Sequence, residues 1–112
     1  MANSVRLSDG TTIPYKTFTR RVENAKKAKK QKEYDEKGYL SCSECGKNSS
    51  GCPGIAASHI ISVNECVGFG KAEIAYDLNN ILLHGQKCHR KFENKPFIER
   101  NLIYLSKIKN AN

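Results

Sequence analysis

The sequence predicts a small α+β domain stabilised by zinc, with an N-terminal hairpin, a basic helix and a C-terminal helix around a metal-bearing core. Three observations predict it. Short alternating or β-branched stretches and longer stretches of helical period occur in one chain. A Cys-x2-Cys pair, Cys42 and Cys45, is followed at a distance by His84 and Cys88, the residue types of a tetrahedral zinc site. Hydrophobic residues make up only 38% of the 112 residues, so the core is thin. A metal that binds only the folded chain then adds useful stability.

Taken in order, residues 5–15 read as a hairpin. Val5 and Leu7 alternate with polar neighbours, Asp9-Gly10 is a strong turn signal, and Ile13 precedes Pro14. A helix follows over residues 20–37, with Thr19 as N-cap and Gly38 as stop. It carries eight basic and four acidic residues and a thin apolar stripe of Val22, Ala25, Ala28 and Tyr34. Its lysines, Lys26, Lys27, Lys29 and Lys30, either lie along phosphates or form a solvated arm. Residues 47–54 form a Ser/Gly-rich loop, and residues 56–63 are the best strand. After a bend at Gly68-Phe69-Gly70 come a second short strand around residues 72–75, a turn over residues 77–80, and Ile81-Leu82-Leu83. A short helix starts near Gln86 or Lys87 and ends near Asn94. Pro96 opens the last helix, whose Phe97, Ile98, Leu102, Leu105 and Ile108 should pack on the core. One domain covers residues 1–112, with its motif core at 42–93 and a basic extension at 1–38.

The net charge of +8, from 19 Lys and Arg against 11 Asp and Glu, steers the chain toward polyanions. Five cysteines, Cys42, Cys45, Cys52, Cys66 and Cys88, rule out complete internal disulfide pairing. No signal-like start and no run of roughly 18 apolar residues occur, which leads to the expectation of a reducing cytoplasm or nucleus. The preferred zinc ligands are Cys42, Cys45, His84 and Cys88. Cys52 competes with His84, because it lies in a loop close to the first pair. The site looks closed, and therefore structural.

Those ligands leave His59, Asn80 and His89 for other chemistry. A lone histidine such as His59 is most simply a core residue satisfied by one backbone bond. Its place at the start of an apolar strand, where packing needs no histidine, argues for more. His89 directly follows Cys88, and adjacent helical residues point about 100° apart, so one can hold zinc while the other faces a different cleft. Glu93 lies one helical turn after His89, so both share one helix face, and it reads plainly as a salt bridge to Lys91, Arg90 or another nearby base. Lys87, Arg90, Lys91 and Lys95 should contact phosphates; with about six such contacts, the log–log slope of binding against salt is about −5.

On these residues the chain resembles the HNH endonuclease family of the small zinc-knuckle type, whose core is a β-β-α metal fold, treble-clef-like. The resemblance rests on Cys42-x2-Cys45, His59-Ile60-Ile61, Asn80-Ile81-Leu82-Leu83 and Cys88-His89, from Cys42 to about Glu93. It implies an enzyme that hydrolyses DNA phosphodiester bonds, double-stranded DNA being the expected partner, and leaves a 5′ phosphate and a 3′ hydroxyl. It implies His59 as general base, Asn80 pinning the loop and orienting His59 through backbone and imidazole bonds, and His89 holding one catalytic cation, magnesium, manganese or nickel. Ser58 stands where the family often has an acidic cation ligand, and a hydroxyl is a poorer one; the substitute carboxylate beside His89 is then Glu93, with Asp77 a weaker contributor. His84 and its longer spacing to Cys88 also depart from the usual second pair. The resemblance suggests a phage-encoded protein in a bacterial host; the sequence leaves monomer and homodimer both open. The rival readings are a noncatalytic zinc module that binds nucleic acid, and an interaction domain whose basic helix docks on an acidic protein.

Overall fold

The computed structural model describes residues 3–48 and 50–111. The N-terminal hairpin forms as the sequence predicts, between β1 (Ser4–Arg6) and β2 (Thr12–Pro14), with Val5 opposite Ile13. Asp9 Oδ1 accepts from the amide and the hydroxyl of Thr11 at 2.9 and 2.6 Å, while Gly10 takes the left-handed φ of +90° that the turn needs.

The basic helix α1 (Tyr15–Lys37) starts well before residue 20. Pro14, extended at φ −58° and ψ 145°, feeds directly into it. Thr19 is not the N-cap; it lies inside the helix with its hydroxyl on the Tyr15 carbonyl at 3.0 Å. The early start places Phe18 on one face with Val22 and Ala25, and all three are buried. Burying a phenylalanine contributes about 2–3 kcal/mol, which outweighs the loss of a threonine cap of about 1 kcal/mol. Gly38 ends the helix as expected, at φ +79°, its amide donating to the Tyr34 carbonyl at 2.7 Å.

The central strand is shorter than the sequence predicts. β3 (Ala56–His59) pairs antiparallel with β4 (Ile81–His84), with His59 opposite Ile81 and Ala56 opposite His84. Pairing stops there because Ser62 caps a helix, α2 (Val63–Gly68). Ser62 Oγ accepts from the Glu65 amide at 3.1 Å, and Glu65 Oε1 accepts from the Ser62 amide at 2.9 Å. Residues Ala72–Tyr76 form a 3-10 turn instead of a strand, since Ala72 and Ala75, three apart, both point into the core. A second 3-10 turn, Leu78–Asn80, leads into β4, which is buried along its whole length.

The chain closes with α3 (Gln86–Glu93) and α4 (Phe97–Ala111). α4 presents a different face from the expected one. Tyr104 is buried and Phe97, Ile103 and Ile108 pack on the core, whereas Ile98, Leu102 and Leu105 are exposed. The Tyr104 hydroxyl donates to Asp77 Oδ2 at 2.8 Å, which fixes the rotation of the helix. The core joins α1, β4, α3, α4 and the residue after β3 through Phe18, Leu82, Phe92, Tyr104 and Ile60. Among the described residues no helix is long and apolar enough to cross a membrane.

Candidate metal centre and the adjoining cavity

Cys42, Cys45, Cys52 and Cys88 bring their four Sγ atoms within 4.8 Å of one another. Zinc–sulfur bonds of about 2.3 Å at tetrahedral angles separate sulfurs by about 3.8 Å; Cys52 Sγ lies 3.9 Å from Cys88 Sγ. The donor set and its spacing fit a structural zinc ion. Backbone bonds build the cluster. Gly46, at φ +72°, donates to the Cys42 carbonyl at 2.8 Å, and the Cys42 amide donates to the Lys47 carbonyl at 2.9 Å. Ser43 ties this knuckle to β4 through the Leu83 carbonyl at 2.7 Å. The Cys52 loop docks on the start of α3, where the Gln86 amide donates to the Pro53 carbonyl at 3.0 Å. Gly85 makes that approach possible: a Cβ there would overlap Cys52 Sγ and lie 2.9 Å from the Cys52 carbonyl oxygen.

Three of these thiols are shifted from their ordinary range. Burial pushes Cys42 up, but the amides of Cys45, Gly85 and Glu44 outweigh it and hold its thiol at about 6. Cys88, hydrogen-bonded to Cys42, is pushed up to about 12, and Cys52 is raised by burial and by Cys45 and Cys42. The Cys88 thiol therefore donates toward the Cys42 sulfur. Lys47, Lys87 and Lys91 border the cluster and offset its negative charge.

His84, expected as the fourth ligand, lies outside this cluster, and Cys52 occupies that place. The reason is the pleat. His84 ends β4 opposite Ala56, and the period of two puts Ser58 on the same sheet face. His84 Nδ1 is hydrogen-bonded to Ser58 Oγ at 2.5 Å, and the ring packs on Phe92 with centroids 4.8 Å apart. Its Nε2 is buried with no hydrogen-bond partner, the one such side-chain atom among the described residues. Glu44 Oε1 lies 3.8 Å from that nitrogen. Burial pulls the His84 pKa below the ordinary value, so the ring is neutral.

On the other side of α3, His59 and His89 line one cavity of about 520 Å³, together with Ser58, Glu93, Lys26 and Arg100. Cys88 thus joins the thiols while its neighbour His89 faces the cavity. His59 Nε2 lies 2.8 Å from the Ala75 carbonyl oxygen. A carbonyl only accepts, so Nε2 carries the proton and Nδ1 keeps a lone pair. Burial lowers the His59 pKa, opposed in part by that carbonyl. Asn80 holds this arrangement through backbone alone. Its Oδ1 accepts from the Ile61 amide at 2.7 Å, and its Nδ2 donates to the carbonyls of Ile61 and Ile74, each at 3.0 Å. It clamps the strand end after His59 to the segment that brings Ala75, but does not bond the imidazole.

His89 Nε2 lies 3.0 Å from Glu93 Oε1, so Glu93 turns to the histidine rather than to Lys91 or Arg90. The His89 ring lies nearly parallel to that of His84, at 11° and 6.4 Å. Asp77 is elsewhere, capping the turn at Asn79 and accepting from Tyr104. The sequence reading missed Arg100 and Glu65 in the cavity wall. Arg100 grips Glu65 with two bonds of 2.6 and 3.0 Å and donates to the Ile60 carbonyl at 3.0 Å. That grip holds the Glu65 carboxyl at about 2. The signal available for Glu65 was the box Ser62-x-x-Glu65.

The basic residues divide among several surfaces. Lys26 lines the cavity and pairs with Glu23 at 3.4 Å, whereas Lys29 pairs with Glu33 at 3.7 Å. Lys27 and Lys30 lie beside Tyr34 and Leu40. Lys87 and Lys91 border the thiols, Arg90 is exposed, and Lys95 sits over the Phe92 ring at 5.3 Å. No family model, curated protein or solved structure matches the chain. Fold and site define an α+β domain with a four-cysteine cluster able to bind a metal ion.

Proposed function

We propose that this chain is a zinc-stabilised DNA-binding domain that hydrolyses phosphodiester bonds in the cavity shared by His59 and His89. The observation that carries the reading is the place of His59, in the cavity with His89, its Nε2 held by the Ala75 carbonyl and its pKa lowered by burial. The order β3, β4, α3 and the thiols at its edge support the HNH resemblance.

In this reading His59 Nδ1 takes a proton from a water that attacks phosphorus, the bond to the 3′ oxygen breaks, and the departing oxygen takes up a proton from solvent. The products carry a 5′ phosphate and a 3′ hydroxyl. Asn80 keeps His59 against Ala75 during the transfer. His89, with Glu93 and Ser58, offers nitrogen and oxygen donors suited to magnesium, manganese or nickel, and such a cation supplies charge stabilisation at the scissile phosphate and the leaving oxygen. Lys26, at the cavity edge, contacts backbone phosphate without reading bases.

A second reading asks less of the molecule: the same scaffold binds nucleic acid without cutting it. It needs only the four thiols and the net charge of +8, and Ser58 in place of a carboxylate favours it. Incubating supercoiled plasmid with the zinc-loaded protein and magnesium, manganese or nickel separates the two. Nicked or linear product supports the nuclease; binding with the plasmid intact selects the second reading.

A further inference from the structure

We propose that His84 is a positioning residue that makes Ser58 a cation ligand, so that a Ser58–His84 couple stands in for the carboxylate missing at position 58. The inference rests on the cation-binding part of the reading above. Ser58 lines the cavity with His89 and Glu93, yet its residue is 4% exposed and its hydroxyl already has a partner, His84 Nδ1. What that partner does depends on which ring nitrogen holds the proton. With the proton on Nδ1, the ring donates to Ser58 Oγ, and the hydroxyl hydrogen is free to turn toward a cation and repel it. With the proton on Nε2, Nδ1 accepts the hydroxyl hydrogen and leaves the oxygen lone pairs free.

The surroundings select the second form. Glu44 Oε1 lies 3.8 Å from the buried Nε2, beyond hydrogen-bond distance, and its negative charge favours an N–H there over a lone pair. The carboxylate therefore acts through the ring, turning the hydroxyl into an oriented oxygen donor. Phe92 fixes the ring plane from one side. Partners behind a metal ligand that set its orientation typically matter by about 10- to 100-fold in affinity.

The test is Mn2+ binding by the zinc-loaded full chain without DNA, read from the free-ion electron paramagnetic resonance signal. Ser58→Ala and His84→Phe should each weaken binding by about 10- to 100-fold, and the double variant should be little weaker than either. Ser58→Asp should bind at least as tightly as the wild type and should make a further His84→Phe change nearly silent. Zinc content stays the same in all of them, since neither residue is in the thiol cluster. Wild-type affinity in His84→Phe, or no Mn2+ binding by the wild type, overturns the proposal. If His84→Phe does not fold, nitrogen NMR of the wild-type His84 ring decides: a proton on Nε2 supports the couple and a proton on Nδ1 overturns it. DNA cutting is not read, so a chain that binds Mn2+ through this couple but leaves plasmid intact loses the nuclease reading alone.

Discussion

The Ala75 carbonyl accepts a hydrogen bond from His59 Nε2–H at 2.8 Å, and so determines which nitrogen of that ring can act as a base. Burial lowers the pKa of the ring from 6.5, with the carbonyl opposing and Lys26 adding to the effect. The neutral imidazole is the working form, so it persists as pH falls below 6.5 and is lost only as pH passes through the lowered value. The acid limb of kcat/KM for DNA, which reports the free enzyme, should therefore lie below about pH 6.5. A limb centred above about pH 7 would contradict this assignment.

Cys52, rather than His84, completes the thiol cluster. Cys52→Ser should weaken zinc binding at least about tenfold and lower the thermal midpoint, because metal affinity is part of the folding free energy. His84→Asn should leave zinc stoichiometry at one per chain. Competition with a chromophoric chelator measures both, and the reverse ranking would restore His84 as a ligand.

Gly85 is the cluster's steric gate. Its Cβ would overlap Cys52 Sγ, so Gly85→Ala must push the Cys52 loop away from α3. Zinc affinity should fall, whereas Gly68→Ala, with nothing within 4 Å of the added carbon, should not affect it. Equal zinc affinity in the two variants would show that the loop reaches the metal in another way.

Much of this was legible in the chain. Asp9-Gly10 gave the hairpin turn, Gly38 the helix end, and the step from Cys88 to His89 the divergence of thiol cluster and cavity. What local pattern could not supply was long-range competition. Phe18 pulled the helix start to Tyr15, because a buried ring outweighs a cap. Two buried alanines turned a predicted strand into a 3-10 turn. Ser62-x-x-Glu65 was readable as a capping box but was hidden by the branched run Ile60-Ile61 before it. His84 and Cys52 were both open as ligands, and only the strand pleat, which points His84 at Ser58, decides between them.

Arg100 and Glu65 join α4 to the strand end that carries His59. Arg100→Ala should lower stability by about 2 kcal/mol, as for part-buried charged hydrogen bonds that lose a partner. The Glu65 pKa is lowered from 4.5 to about 2, so its contribution is fully present above pH 4.5 and is lost as pH falls toward 2. Urea unfolding at pH 7 and at pH 3 should show a gap between wild type and variant that narrows at the lower pH. A constant gap would assign the pair's effect to packing alone.

Plasmid nicking by wild type and His59→Ala, side by side at equal zinc content, is the most direct test of the proposed chemistry. The wild type should convert supercoiled DNA with magnesium, manganese or nickel, and the variant should be slower by at least about 100-fold, as for loss of a general base. Cutting at the wild-type rate by His59→Ala would contradict the assignment.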